Sequence, residues 1–306
     1  MGKTNIGDLL FKYFTLTFGA LVLLLVFLIG FEMVKGSSLS IEKFGWSFLA
    51  TTTWDPVRDQ YGALSFIFGT VVTALIGLAI AIPLSLGVAV FLSEIAPKWL
   101  AQPCSFLVEL LAAIPSIVYG LWGIFVLVPW LRTSLEPLLA RSLGFLPFFR
   151  GTPYGFGMMA AGIILAIMVL PIVTSISRDV LTSIPDSQRE AALALGATRW
   201  ETIGIIFRDS RSGIVGAALL GLGRAVGETM AVTMVIGNRP DISASLFNPA
   251  YSMASVIANE FTEATSELYT SSLIEIALVL FGVTIVLNTL ARAIVWSVSR
   301  KFNKTT

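Results

Sequence analysis

"SIPDSQREAALALGATRWETI", residues 183–203, lies between two apolar runs and is amphipathic rather than simply polar. Asp186 is an expected N-cap for a helix over Ser187–Leu195, with Pro185 just outside it. Gly196 suits the stop, because glycine adopts positive φ without a Cβ penalty. Thr198-Arg199-Trp200-Glu201 then fits the S/T-x-x-E capping box and restarts a helix. Ala191, Ala192, Leu193 and Leu195 give the first helix an apolar surface although it stands outside the flanking runs. Such a surface must be covered, either by lipid headgroups or by a groove on a cytoplasmic partner. On these residues alone both readings stay open.

The flanking runs set the solvent. The chain has 306 residues, 56% hydrophobic and 13% charged, with a mean hydropathy of +0.85. A soluble domain carries about 25% charged residues, so lipid is the expected surroundings. A helix needs about 20 apolar residues to cross the hydrocarbon core. Six segments qualify, at about 12–34, 64–92, 104–131, 155–177, 213–236 and 272–297. The expected fold is therefore an all-α polytopic membrane protein, one transmembrane domain over 1–306 with six spans. The first run exceeds the usual secretory h-region and lacks a small-x-small cleavage site, so it reads as a retained span. Pro83, Pro115 and Pro171 inside spans are tolerable where neighbouring helices satisfy the freed backbone groups.

Lysine and arginine set the orientation. With a cytoplasmic N-terminus, the inner side carries twelve of these residues, Lys3 and Lys304 among them, and the outer side seven. Both termini are expected inside. Arg132, Arg141 and Arg150 would then lie in an outer loop, 132–154, with pairing to acidic residues of 237–271 the favoured use.

Several chemistries are excluded. Histidine is absent and there is a single cysteine, Cys104, which removes HExxH zinc sites, Ser–His dyads and any internal disulfide. No GxxxxGK[ST] phosphate loop occurs, so ATP hydrolysis by that route is excluded. No cofactor, metal or nucleic acid is expected.

The second informative stretch is "GLGRAVGETMAVTMVIG", 221–237, within the fifth expected span. An arginine at the centre of a membrane helix costs about 2.5–3.5 kcal/mol on insertion scales. Arg224 and Glu228 are four apart, so on a continuous helix they can meet and share that cost. A structural ion pair and an anion pathway both fit the spacing. Gly223 and Gly227 form a GxxxG pair suited to close helix packing.

Glu190-Ala191-Ala192, with Gly196 four residues on, resembles the EAA loop of ABC importer permeases. "ELLAAIPSIVYGLWGIFVL" (109–127), "LAIMVLPIVTSISRDVL" (165–181) and "GLGRAVGETMAVTMVIGN" (221–238) are similar to the permeases of the phosphate-specific Pst system. The ending GETMAVTMVIGN and the stretch "TTTWDPVRDQYG" (51–62) resemble its C-type rather than its A-type permeases. The family's usual Leu-Pro after the loop is replaced here by "IIFRDSRSGI". The resemblance implies a type I ABC importer permease fold in a bacterial-type inner membrane, with cytoplasmic coupling helices between spans 4 and 5, in the loop 183–212. It implies ATPase coupling through Glu190, Ala191, Ala192 and Gly196; with phosphate as the implied substrate, Arg224 and Glu228 are candidates for its pathway as much as for a structural pair. The implied partners are an A-type permease, two ATPase subunits and an external phosphate-binding protein, so this chain would not itself be an enzyme. A permease for sulfate or molybdate shares the EAA loop. A stand-alone secondary transporter would need inverted repeats and no docking loop.

Overall fold

Gly77 and Gly162 bring the second and fourth apolar runs into direct contact. A Cβ on Gly77 would stand 2.8 Å from the Cβ of Leu165, and one on Gly162 would stand 2.7 Å from the Cβ of Ile76. The computed structural model describes residues 6–302. Lys3 and Lys304, which enter the orientation count, lie outside them. The regular structure among the described residues is helical, with only isolated bridges at Asp55–Gln60 and Gly237–Ala250.

Leaving aside short helical turns such as Ser38–Phe44 and Ser47–Ala50, the helices in chain order are α1 (Ile6–Gly36), α2 (Leu64–Ile95), α3 (Lys98–Ala113), α4 (Ser116–Leu143) and α5 (Met158–Thr182). After these come α6 (Asp186–Ala194), α7 (Arg199–Asp209), α8 (Arg211–Gly227), α9 (Met230–Val235), α10 (Met253–Glu260) and α11 (Glu267–Phe302). The α2–α5 pair is the centre. Hydroxyls cross-link it beside Pro83 and Pro171: Ser85 donates to the Leu170 carbonyl at 3.1 Å, and Thr174 donates back to the Ser85 carbonyl at 3.5 Å. Without water, such internal partners are what make an interrupted helix tolerable. α8 lies on this pair through Gly221, whose missing side chain admits Val169 and Val173. α1 packs sideways on α11 through Gly36 and Ile274 and leaves most of its apolar surface exposed.

Two expected spans differ from the structure. The segment 104–131 is divided at Ile114–Pro115, where both residues are extended. The residue before a proline is pushed out of the α region, which explains the break. The long apolar helix is instead Ser116–Leu143, and α3 rests against α5, tied by Glu109 Oε1 to Arg178 Nη2 at 3.1 Å. Wider π turns at Gly123–Leu127 and Leu131–Leu135 let α4 pass Pro129 and Pro137 without breaking. Arg132 and Arg141 consequently stand on α4, not in a loop. The segment 213–236 is interrupted between Gly227 and Met230.

At the end of the bundle away from α6 and α7, residues 37–63 and 236–266 fold into a second apolar cluster. Trp54 stands edge-on to Tyr61, Phe66 and Tyr269. Glu260 accepts from Trp54 Nε1 at 2.7 Å and from the Tyr269 hydroxyl at 2.6 Å. Burial, reinforced by the charge of Asp59, pushes the Tyr61 hydroxyl up to about 12. The acidic residues of this region thus serve their own cap. Arg150 donates to the Gly144 and Phe145 carbonyls, and Arg239 pairs with Asp241. The expected pairing of Arg132, Arg141 and Arg150 with the 237–271 segment does not occur among the described residues. Glu275 is buried, 6% exposed, beside Ser40.

Gly162→Val should destabilise the α2–α5 seam by about 1–3 kcal/mol, the usual range for overpacking. Thermal unfolding in detergent should show a lower transition and reduced yield; an unchanged transition would mean that the two helices do not meet there.

Candidate functional site

The capping chemistry of 183–203 folds largely as its residues dictate. Gly196 has φ 85, and the Gly196 and Ala197 N–H groups bond back to Leu193 and Ala192 at 3.0 and 3.1 Å. That is a Schellman closure of α6. Thr198 N–H donates to Glu201 Oε2 at 2.7 Å, and Glu201 N–H donates to the Thr198 hydroxyl at 3.4 Å, so the capping box is complete. The Thr198 N–H also holds the Glu201 carboxyl below the usual carboxylate range. One detail is corrected: Asp186 is the first helical residue and Pro185 occupies the cap position. Pre-set φ makes proline an acceptable helix entrance, and Asp186 in the first turn complements the helix dipole.

α6 and α7 divide their apolar side chains between two faces. Ala192, Thr202 and Ile206 turn inward, and Ile206 joins Ala89, Leu181 and Ile214. Glu190, Ala191, Leu193 and Gly196 face outward, together with Leu195, 90% exposed, and Trp200, 72% exposed. Gly196, Leu195 and Ile205 line a cavity of about 560 Å³, and Leu193 and Trp200 line a second of about 490 Å³. The pair is fastened to the bundle by Arg189. Its Nη2 and Nε meet Glu94 Oε1 and Oε2 at 2.8 and 3.2 Å, and the Ile184 and Leu181 carbonyls accept from the same guanidinium. This bidentate hydrogen bond to Glu94 is the main reason that Arg189 is held more firmly in its charged form. Sequence reading missed the contact, because Glu94 and Arg189 are separated by 95 positions and neither carries a motif.

Arg224 and Glu228 come together differently from expectation. α8 ends at Gly227, Glu228 is extended at φ −71 and ψ 125, and the chain restarts at Met230. A continuous helix with an i,i+4 pair is therefore replaced by a break that turns the glutamate inward. Arg224 Nη2 still reaches Glu228 Oε2 at 3.7 Å, beyond hydrogen-bond distance, with the side chains 39% and 7% exposed. Glu228 Oε1 accepts from the Ala231 N–H at 3.4 Å, which anchors it to the first turn of α9. Thr229 and Thr233 hydroxyls cover the Gly227 and Thr229 carbonyls left at the break. The arginine is thus positioned by a buried countercharge while its own donor fork remains largely uncommitted. The polar Gly-Glu-Thr triplet was the available signal for the interruption.

The GxxxG reading changes as well. A Cβ at Gly223 or Gly227 would meet nothing within 4 Å, so among the described residues no helix packs directly on these two positions. They border open space beside Arg224. Tyr119 of α4 lies near enough to feel the Arg224 charge, and its hydroxyl donates to the Leu111 carbonyl at 2.7 Å.

Residues 81–304 match the family described as binding-protein-dependent transport system inner membrane component. The phosphate transport system permease protein PstC of Haemophilus influenzae is 49% identical over 94% of this chain and 92% of its own length. That of Mesorhizobium japonicum is 46% identical over 93% and 89%. A probable PstC from Methanocaldococcus jannaschii is 38% identical over 87% and 86%. In fold, the chain is similar to a chain of the MetNI methionine ABC transporter in an inward-facing conformation, with TM-score 0.51, 19% identity, and coverage of 79% of this chain and 95% of that one. The sequence likeness over most of the chain settles the family, and the helical architecture agrees in fold: the chain belongs to the inner-membrane permeases of binding-protein-dependent transport systems, within the PstC group.

Proposed function

We propose that this chain is the transmembrane permease subunit of an ATP-driven importer of inorganic phosphate and supplies half of the translocation pathway. The observation that carries this reading is Arg224, held 3.7 Å from buried Glu228 at a helix break and flanked by open space at Gly223 and Gly227. An anion leaving water needs compensating positive charge, and a guanidinium offers a permanent, fork-shaped donor set for phosphate oxygens. Glu228 limits the net attraction, so that the site admits an anion and also releases it. The open face is completed by a second, A-type permease.

Energy comes from ATP hydrolysed by two partner subunits seated on α6 and α7. Glu190, Ala191 and Gly196, with Leu195 and Trp200 beside them, form the docked face, while Ala192 ties it to the bundle. Arg189 and Glu94 transmit the push to α2. Both termini are cytoplasmic, and a phosphate-binding protein delivers substrate from outside. The apolar, doubly capped helix pair favours this reading over a helix pair lying on headgroups, because its exposed Leu195 sits at a rigid Schellman turn between two cavities.

The test is uptake of radiolabelled phosphate by the complete complex in proteoliposomes, with sulfate as the competing anion. Arg224→Gln should assemble normally and lose most uptake. The paired change Arg224→Leu with Glu228→Leu should lose it too. Near-normal phosphate uptake by the assembled double variant would reduce the pair to a packing device, and preference for sulfate in the parent complex would shift the substrate.

Glu190→Lys and Gly196→Val should leave the chain inserted but remove transport-stimulated ATP hydrolysis. Valine at 196 is strained by the positive φ and costs about 1 kcal/mol or more locally, too little to unfold the helical bundle. Full stimulation in either variant would take the α6–α7 face out of the coupling.

A further inference from the structure

Arg132, on α4, lines a cavity, and its natural countercharge is turned away from it. The cavity, about 620 Å³, lies between α4 and α9 and is lined by Thr152, Tyr154, Thr233 and Asn238 among others. Arg132 is the only charged residue in that lining. Glu136 stands one helical turn on, at the i,i+4 spacing at which such charges pair. Its carboxylate instead accepts from the Gly155 N–H at 2.9 Å, and the residue is 1% exposed. Gly155, at φ 75, passes so close to the base of Arg132 that a Cβ there would stand 3.0 Å from the Arg132 Cβ. The turn that approaches Arg132 is thus the same turn that removes Glu136. Neither an ion pair nor a hydrogen bond of the Arg132 side chain occurs among the described residues, whereas Arg150 and Arg239 are both engaged.

The place of this cavity adds to its charge. Thr233 and Met234, near the end of α9, line it, and α9 begins at the break that holds Glu228. Six residues of helix rise about 9 Å, so one short helix separates the two arginine-bearing places. The cavity is roomy enough to hold an ion with several waters, each needing about 30 Å³. Hydroxyl and amide groups of Thr152, Tyr154 and Asn238 can donate to an oxyanion beside the guanidinium.

We propose that the Arg132 cavity binds inorganic phosphate at the outer mouth of the pathway, before the anion reaches Arg224. This rests on the phosphate-import reading of the chain. An unneutralised guanidinium in a cavity with low-dielectric walls focuses positive potential and raises the local concentration of an anion. A waiting site of this kind needs only moderate affinity, because its occupant must move on.

The test uses the complete complex carrying Thr152→Cys in a Cys104→Ser background. Modification by an impermeant thiol reagent is timed in inorganic phosphate and in chloride of equal ionic strength. Phosphate should slow modification, Arg132→Gln should raise the half-protecting concentration about tenfold, and Arg132→Lys should fall between. An unchanged rate in phosphate, or protection that survives Arg132→Gln, would overturn the proposal. So would protection in lipid-free detergent by anionic phospholipid but not by inorganic phosphate, which would assign the cavity to a headgroup. Phosphate uptake by the parent complex in proteoliposomes keeps failure of this site separate from failure of the reading beneath it.

Discussion

The contact between Arg189 and Glu94 is the interaction that fixes the α6–α7 pair to the bundle. It is short, bidentate and mostly withdrawn from solvent, with side chains 19% and 8% exposed. Removing one partner of such a pair leaves a charge poorly compensated, and for fully buried pairs the cost is about 3–5 kcal/mol. It joins α6, an element outside the apolar spans, to the end of α2. From there the route inward is made of close packing: α2 interlocks with α5 through Gly77 and Gly162, and α5 receives α8 through Gly221. α8 carries Arg224. Each of these glycine junctions is one where a methyl group would collide, so the helices are close-packed along this route.

Several polar groups within the apolar spans serve one need. Lipid offers no hydrogen bonds, so every interruption of a helix must be covered by protein. Ser85 and Thr174 do this beside the prolines of α2 and α5, and Thr229 and Thr233 do it at the break after α8. Glu136 is held by a backbone N–H at the turn of Gly155. Arg224 and Arg132 depart from the pattern, one loosely paired and one without a partner among the described residues. Their shared neighbour α9 places both along one short element.

Local chemistry was legible in the sequence where the determinant is local. The Thr198–Glu201 box and the positive φ of Gly196 depend on residues within one or two turns, and they formed as read. Helical spans were legible by hydropathy, but Ile114–Pro115 and Gly227–Glu228–Thr229 show its limit: an apolar run has the same mean hydropathy whether or not it is broken. Arg224 and Glu228 were found because charge inside an apolar run is rare. Glu94 and Arg189 were not, and Arg132 was read only as one of three outer arginines that pair with the 237–271 segment, because an arginine near a span end is ordinary until its partner, or the removal of its partner, is seen in three dimensions. The glycines illustrate the same point. Gly221 and Gly223 look alike in sequence, yet one is filled by valines of α5 and the other faces open space.

The central claim is that ATPase contact at α6 and α7 drives the Arg224 pathway through the Arg189–Glu94 link. The direct measurement is the number of phosphate ions imported per ATP hydrolysed by the reconstituted complex, compared between parent and Glu94→Gln. The account predicts assembled complex with ATP hydrolysis retained and a ratio lowered severalfold. An unchanged ratio in Glu94→Gln would contradict it.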